Sequence, residues 1–145
     1  MFTYTENRKL IGYAYVCGDI LHYGHVLHLQ NCRALCDKLI VGVLTDEAIM
    51  EKKQKPIIGL RDRMEMVELL PYVDIVVPQN DYSPIYNICD IGVDVLFEST
   101  SHSKEDLKET FDIAKKKGIK VRVMPYYPNN SSTEIKEKIK SEWKK

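Results

Sequence analysis

No stretch of this 145-residue chain is apolar for the length a membrane span needs, and its opening residues, MFTYTENRKL, lack the hydrophobic core of a secretory signal. Both absences point to a cytoplasmic protein. Net charge is missing as well. The 21 Lys and Arg balance 21 Asp and Glu, so there is no global positive field to draw the chain to nucleic acid or to insert it at a membrane surface. Any basic chemistry has to be local. Cys17, Cys32, Cys36 and Cys89 have no C-x-x-C spacing and are expected to be free thiols in a reducing compartment. No internal repeat or low-complexity linker interrupts the chain. Its length, with 44% hydrophobic residues, suits a single domain over 1–145 whose core needs neither disulfide nor metal.

What the sequence does contain is a rhythm of short apolar runs followed by longer segments of helical period, the pattern of βα units around a parallel sheet. Strands are expected at Ile11 to Cys17, Lys38 to Leu44, Val73 to Val77, Val93 to Phe97 and Lys120 to Met124. Helices are expected at His25 to Cys36, Arg61 to Leu70, Ser83 to Ile91, Lys104 to Lys117 and Ser132 to about Trp143. Ser131, Ser132, Thr133 and Glu134 read as an S-x-x-E capping box, with Ile135 and Ile139 as a buried stripe behind it. Gly118, after Lys115 to Lys117, suits a helix C-terminus. Met64, Met66, Leu69 and Leu70 read as core.

In an open α/β sheet, ligands bind beyond the carboxyl ends of the strands, so the segments that follow each strand carry the functional signal. The first is Cys17-Gly18-Asp19-Ile20-Leu21-His22-Tyr23-Gly24-His25, which ends at a helix start. There the backbone N–H groups and the helix dipole already favour phosphate. Gly24 permits close approach of a polyphosphate, and His22 and His25 are placed to donate hydrogen bonds to charge developing on phosphoryl oxygens. A competing constellation, His28, Cys32 and Cys36 at every fourth position of one helix, spans two turns and lacks a fourth ligand. Those three read as small groups on or beside the buried face, and no protein-held metal site is expected.

The stretch from Asp19 to His25 resembles the signature of the cytidylyltransferase-like nucleotidyltransferase superfamily, a strand, a G-T-F-D-like turn, two apolar residues and H-x-G-H, with Val16, Cys17 and Gly18 standing where the family has G-T-F. Further similarities occur in the family's order: Thr45-Asp46-Glu47, a loop with Lys52, Lys53 and Lys55, then Arg61 and Arg63, and finally Pro128 to Thr133 before the last helix. The resemblance implies a Rossmann-like α/β fold, an open parallel five-stranded sheet with helices on both faces. By position it implies that Lys52 neutralises the α-phosphate, with Lys55 a second lysine of the same loop. It implies that Arg63 contacts substrate phosphates, and that Ser131, Ser132 and Thr133 hold the β- and γ-phosphates. The turn residues Val16, Cys17, Gly18 and Asp19 would cradle the triphosphate, carried with Mg²⁺. The family's members commonly pair as homodimers.

Within the superfamily, H-Y-G-H, V-V-P-Q and S-S-T at His22 to His25, Val76 to Gln79 and Ser131 to Thr133 are similar to glycerol phosphate and phosphonate cytidylyltransferases, which implies CTP and a small phosphate or phosphonate acceptor. Phe97 to His102 departs from the M-G-D-D-W-like segment of many relatives. An ATP-dependent adenylyltransferase of the same fold and a nucleotide-binding module without turnover are the two other readings. Tyr23, Tyr82, Tyr86, Tyr126 and Tyr127 are candidates for the wall of an acceptor pocket.

Overall fold

The computed structural model describes residues 8–100, 103–125 and 132–143, which run in the order β1 (Ile11–Val16), α1 (Tyr23–Arg33), β2 (Lys38–Leu44), α2 (Asp46–Met50), α3 (Leu60–Glu68), β3 (Ile75–Gln79), α4 (Ile85–Ile91), β4 (Val95–Ser99), α5 (Lys104–Lys116), β5 (Lys120–Met124) and α6 (Ser132–Glu142). The five strands form one parallel sheet in the order β3-β2-β1-β4-β5. This is the expected open α/β architecture. One face of the sheet, with Ala14, Val41, Val43 and Phe97, packs on Leu29 and Cys32 of α1 and Val67 of α3. The other face, with Tyr13, Ile40 and Leu96, packs on Ile88 of α4 and Ala114 of α5.

Strand register is fixed at the amino ends by a repeated device. Asp37, Asp74 and Asp94 stand immediately before β2, β3 and β4. Their carboxylates accept from the backbone N–H groups of Leu10 at 2.6 Å, Leu39 at 2.8 Å and Ile11 at 2.8 Å, each in a neighbouring strand or just before it. Each aspartate N–H returns a bond to the carbonyl of the same partner residue. This pairing explains why β3 and β4 begin two residues later than the apolar runs suggest. Val73 and Val93 instead close turns onto Leu70 and Ile88. Pro78 is tolerated in β3 because that strand is at the sheet edge and pairs only with β2.

Other expectations need correcting. A short helix, α2, follows β2 where a loop was expected to start: Thr45 caps it by accepting from the Ala48 N–H at 3.1 Å, and Asp46 and Glu47 sit in its first turn against the helix dipole. On α3 the buried apolar residue is Val67. Met64 and Leu70 pack beside the core, but Met66 and Leu69 are exposed, because one face of a nine-residue helix cannot bury all four. On α6 no residue is fully buried, and Ile139 is exposed. The capping Ser131 lies outside the described residues. Cys32 and Cys36 are buried in the core, and all four cysteines are free thiols.

One side chain joins the carboxyl ends of the central strands. Arg63 of α3 is completely buried, and its guanidinium donates to the carbonyls of Cys17 at 2.7 Å, Leu44 at 2.6 Å and Ile58 at 2.8 Å, and to the Asp46 carboxylate at 2.6 Å. It therefore ties together the residue after β1, the last residue of β2, the loop before α3 and the first turn of α2. At the middle of the sheet, Tyr13 passes over Gly42 of β2 to donate to Gln79 of β3 at 2.6 Å, and it accepts from Asn87 of α4.

Two substitutions test this framework. Arg63→Ala strands several buried acceptors and is expected to cost about 3–5 kcal/mol in urea denaturation, the range for breaking a buried ion pair. Arg63→Lys is expected to recover little of it, because an ammonium lacks the planar fork. A Cβ at Gly42 would lie 2.7 Å from Tyr13 Cζ and 2.9 Å from Gln79 Oε1. Gly42→Ala should therefore lower stability by about 1–3 kcal/mol through overpacking in the same assay.

Candidate active site

The β1–α1 turn is built around its two histidines. His22 is the N-cap of α1, and its Nδ1 accepts from the Gly24 N–H at 3.1 Å, while His25 Nδ1 accepts from the His22 N–H at 3.3 Å. The pair thus makes a reciprocal capping box in which imidazoles take the places of Ser and Glu. The rings stand 4.0 Å apart between centroids, tilted by 43°. A neutral imidazole whose Nδ1 accepts must carry its proton on Nε2. Both rings are accordingly set as Nε2–H donors beside the positive end of a helix. They are also kept neutral. Burial, then the charges of His22, His28 and Lys53, bring His25 down to about 3, and burial lowers His22 against the opposing pull of Glu134.

The turn before them is shaped by Gly18, which sits at φ 71° in the left-handed region where a side chain is strained. Asp19 is buried and accepts from the backbone N–H groups of Ile57 at 2.9 Å and Ile58 at 2.8 Å and from Lys136 Nζ of α6. Burial alone would raise its carboxyl, but the Lys136 bond and the two backbone donors outweigh burial and hold it below the usual range. The Asp19 carboxylate oxygens are thus committed to the 57–58 loop and to α6.

The same α6 contributes Ser132, whose hydroxyl donates to the Ile20 carbonyl at 2.8 Å, so the S-S-T helix start docks on the H-x-G-H turn. Thr133 is exposed in the first turn of α6. Ser131 lies outside the described residues. Lys136 was not foreseen as a site residue. It stands one helical turn after Ser132, a spacing that puts both on one face, and this was a readable signal.

The basic loop divides its lysines between two sides. Lys52 Nζ stands 3.8 Å from Asp106 of α5. The adjacent Lys53 is the loop lysine whose charge acts on both His25 and Cys17. Lys55 is exposed. Arg63, expected to contact substrate phosphates, is instead enclosed by protein acceptors below the turn, with its side chain 0% exposed. It positions Cys17 rather than facing the pocket. Burial raises the Cys17 thiol despite the neighbouring Lys53 and Arg63 charges, so at neutral pH it is a neutral wall of the turn.

On the far side of the turn, the Tyr15 hydroxyl at the end of β1 lies 2.9 Å from both carboxylate oxygens of Glu98 at the end of β4. Glu98 is 1% exposed, and burial, partly offset by the Tyr15 bond, pushes it up to about 7. Neither residue stood out in the sequence, because a tyrosine and a glutamate within strands carry no spacing signal. Of the tyrosines expected at a pocket, Tyr82 is beside this pair and Tyr86 lines an open surface groove, whereas Tyr23 is exposed on α1, and Tyr126 and Tyr127 lie outside the described residues.

The arrangement of a phosphate-type turn at the sheet's carboxyl edge has close parallels among known proteins. The profile of the family described as cytidylyltransferase-like matches residues 17–138. The chain is 36% identical over 131 residues to the bifunctional protein HldE of Granulibacter bethesdensis, covering 89% of this chain and 27% of that protein. It is 43% identical over 67 residues to ethanolamine-phosphate cytidylyltransferase of Arabidopsis thaliana, covering 46% of this chain and 16% of that protein. The chain thus spans about a quarter or less of the length of these curated relatives. Its fold matches the solved lipopolysaccharide core biosynthesis protein of Thermoplasma volcanium GSS1 with a TM-score of 0.72 at 21% identity, over 85% of this chain and all of that one. By sequence profile, relatives and fold, the chain belongs to the cytidylyltransferase-like family of nucleotidyltransferases.

Proposed function

We propose that the chain transfers the nucleoside monophosphate of CTP to a small phosphate or phosphonate acceptor and releases pyrophosphate. The observation that carries this reading is the histidine pair, pinned by backbone donors at Nδ1 so that two neutral Nε2–H groups point from a helix N-terminus. Such donors stabilise charge that grows on phosphoryl oxygens without competing for a proton. An acceptor oxygen already ionised at neutral pH needs no general base, so positioning and charge stabilisation suffice.

In this reading the triphosphate lies across Val16 to Asp19 and Gly24, with His22 and His25 donating to it. Ser131, Ser132 and Thr133 hold its outer phosphates, and Lys136 adds positive charge on the same helix face as Ser132. Lys53 approaches from the histidine side and Lys52 from the other, so that the α-phosphorus under attack sits between two ammonium groups, with Lys55 farther out on the loop. Among the described residues no group of three His, Cys, Asp or Glu is placed to hold a metal ion. Mg²⁺ would enter on the triphosphate oxygens, its usual mode with nucleotide substrates. CTP is preferred over ATP on the V-V-P-Q and S-S-T stretches and on the relative named as a cytidylyltransferase. Pairing of two copies is part of the same proposal.

Pyrophosphate release with Mg²⁺ and CTP, ATP, GTP or UTP, against a panel of phosphate and phosphonate acceptors, tests the assignment. Release with CTP is expected; release with ATP alone would move the chain to the adenylyl branch. His25→Ala should lower kcat by about 10²–10³, the scale of losing one preorganised donor. Because the rings act as neutral donors, kcat/KM should not fall as pH rises above the ordinary imidazole value of 6.5. A drop there would show that imidazolium is the working form. Stability has the opposite sensitivity: between 6.5 and about 3 the unfolded chain binds a proton that folded His25 refuses, so stability falls with falling pH, and His25→Gln should flatten that slope. Lys52→Ala and Lys53→Ala are each expected to reduce kcat by about tenfold or more, as removal of a transition-state charge contact does.

A further inference from the structure

β1 and β4 pair only at Gly12–Val95 and Tyr13–Leu96, and past that ladder Tyr15 and Glu98 wall a cavity of about 160 Å³. Lys52 lines it as well, together with Glu51, Tyr82 and Asp106. Three separate elements converge on this lysine. Its backbone N–H and that of Lys53 donate to the Ile49 carbonyl at 3.1 and 2.8 Å, which continues the last turn of α2. The Glu51 carboxylate accepts from the Tyr82 N–H at 2.8 Å and ties the same turn to the loop between β3 and α4. That loop is held from the sheet in its turn, since Gln79 donates to the carbonyls of Asp81 at 3.0 Å and Tyr82 at 3.2 Å while it accepts from Tyr13. The backbone at Lys52 is thereby fixed, and the long side chain is the part that needs placing. Asp106 of α5 meets its end, with Oδ1 3.8 Å from Nζ.

This contact is suited to placing a charge rather than to holding the fold. The two side chains are about half exposed, 52% for Lys52 and 47% for Asp106, and an ion pair in that setting adds little to stability. Its length exceeds the roughly 2.7–2.9 Å of a closed charge-assisted hydrogen bond, so the N–H donors of the ammonium are not consumed. Asp106 itself sits on a fixed base. In the first turn of α5 its N–H donates to the capping Ser103 hydroxyl at 3.2 Å, and its carbonyl accepts from Thr110 at 3.1 Å. A lysine that meets a ligand loses much of its rotamer freedom, and a carboxylate on a rigid helix lowers that cost by narrowing the choice beforehand. We propose that Asp106 is a positioning residue for the transfer: it steers the Lys52 ammonium toward the α-phosphorus and acts on the reaction only through that lysine. The proposal rests on the nucleotidyl-transfer reading. In it the ammonium lies between carboxylate and phosphate, so Asp106 draws Lys52 into place without touching substrate.

A double-mutant cycle on pyrophosphate release tests this, with Mg²⁺ and the nucleotide and acceptor that give the greatest release in the panel above. Asp106→Asn in the native chain is expected to lower kcat about three- to tenfold, and Asp106→Glu, which returns the carboxylate on a longer stem, to recover much of the loss. In a Lys52→Ala background the Asp106→Asn change should have no further effect, because a residue that acts through another is fully coupled to it. Urea midpoints of the native and Asp106→Asn chains should nearly coincide, since Ser103 and Thr110 bond only the backbone of residue 106. An Asp106→Asn loss of equal size with and without Lys52 would mark a merely structural residue and overturn the proposal. So would a kcat left unchanged or raised by Asp106→Asn, the sign of a carboxylate that holds the lysine back, or a Lys52→Ala chain as active as the native one. All three results leave the transfer reading intact. No pyrophosphate from the native chain with any nucleotide would remove that reading, and this proposal with it.

Discussion

The buried guanidinium of Arg63 is the constraint on which the geometry of this protein depends. A charge with no solvent contact is retained only if every donor is matched, and Arg63 is matched by three carbonyls and one carboxylate drawn from four separate segments. Two of those carbonyls belong to the residue after β1 and the last residue of β2, the positions from which the H-x-G-H turn and α2 depart. The path of the β1–α1 turn is thereby set by a contact beneath it.

A second layer of the same logic lies above. Asp19 fastens the turn to the 57–58 loop and to α6, and Ser132 fastens α6 to the turn, so the elements proposed to grip the triphosphate are held to one another before any ligand arrives. The histidines complete it by capping each other's backbone. The bonds that cap the start of α1 also select the tautomer, so one interaction supplies local stability and decides which ring nitrogen carries the proton. Preorganisation of this kind removes reorganisation cost from the reaction step.

Much of this was legible in the sequence because it is written in local patterns. The alternation of apolar runs and helical periods gives the five strands and most helices, and H-x-G-H marks the turn at which α1 begins. The role of Arg63 was not legible, since a phosphate-binding arginine and a buried one are the same letter, and the difference is made by acceptors 5 to 46 residues away. The shift of β3 and β4 follows from Asp74 and Asp94, whose side-chain bonds reach 35 and 83 residues along the chain and outweigh the β-propensity of Val73 and Val93. Lys52 and Lys53 show the same limit at closer range: the motif indicates a basic loop, and the sequence does not say that Lys52 stands by Asp106 of α5 while Lys53 acts on His25.

The aspartate clamps and the short β1–β4 ladder give the sheet two unlike ends and one narrow joint. At the amino end, bonds from Asp37, Asp74 and Asp94 lock neighbouring strands; at the carboxyl end, β1 and β4 diverge after two paired positions. The molecule is therefore built as two plates, β3-β2-β1 and β4-β5, that share a stiff base and an open mouth. Relative movement of the two plates is therefore resisted most at the base, where the aspartates bind across strands, and least at the mouth.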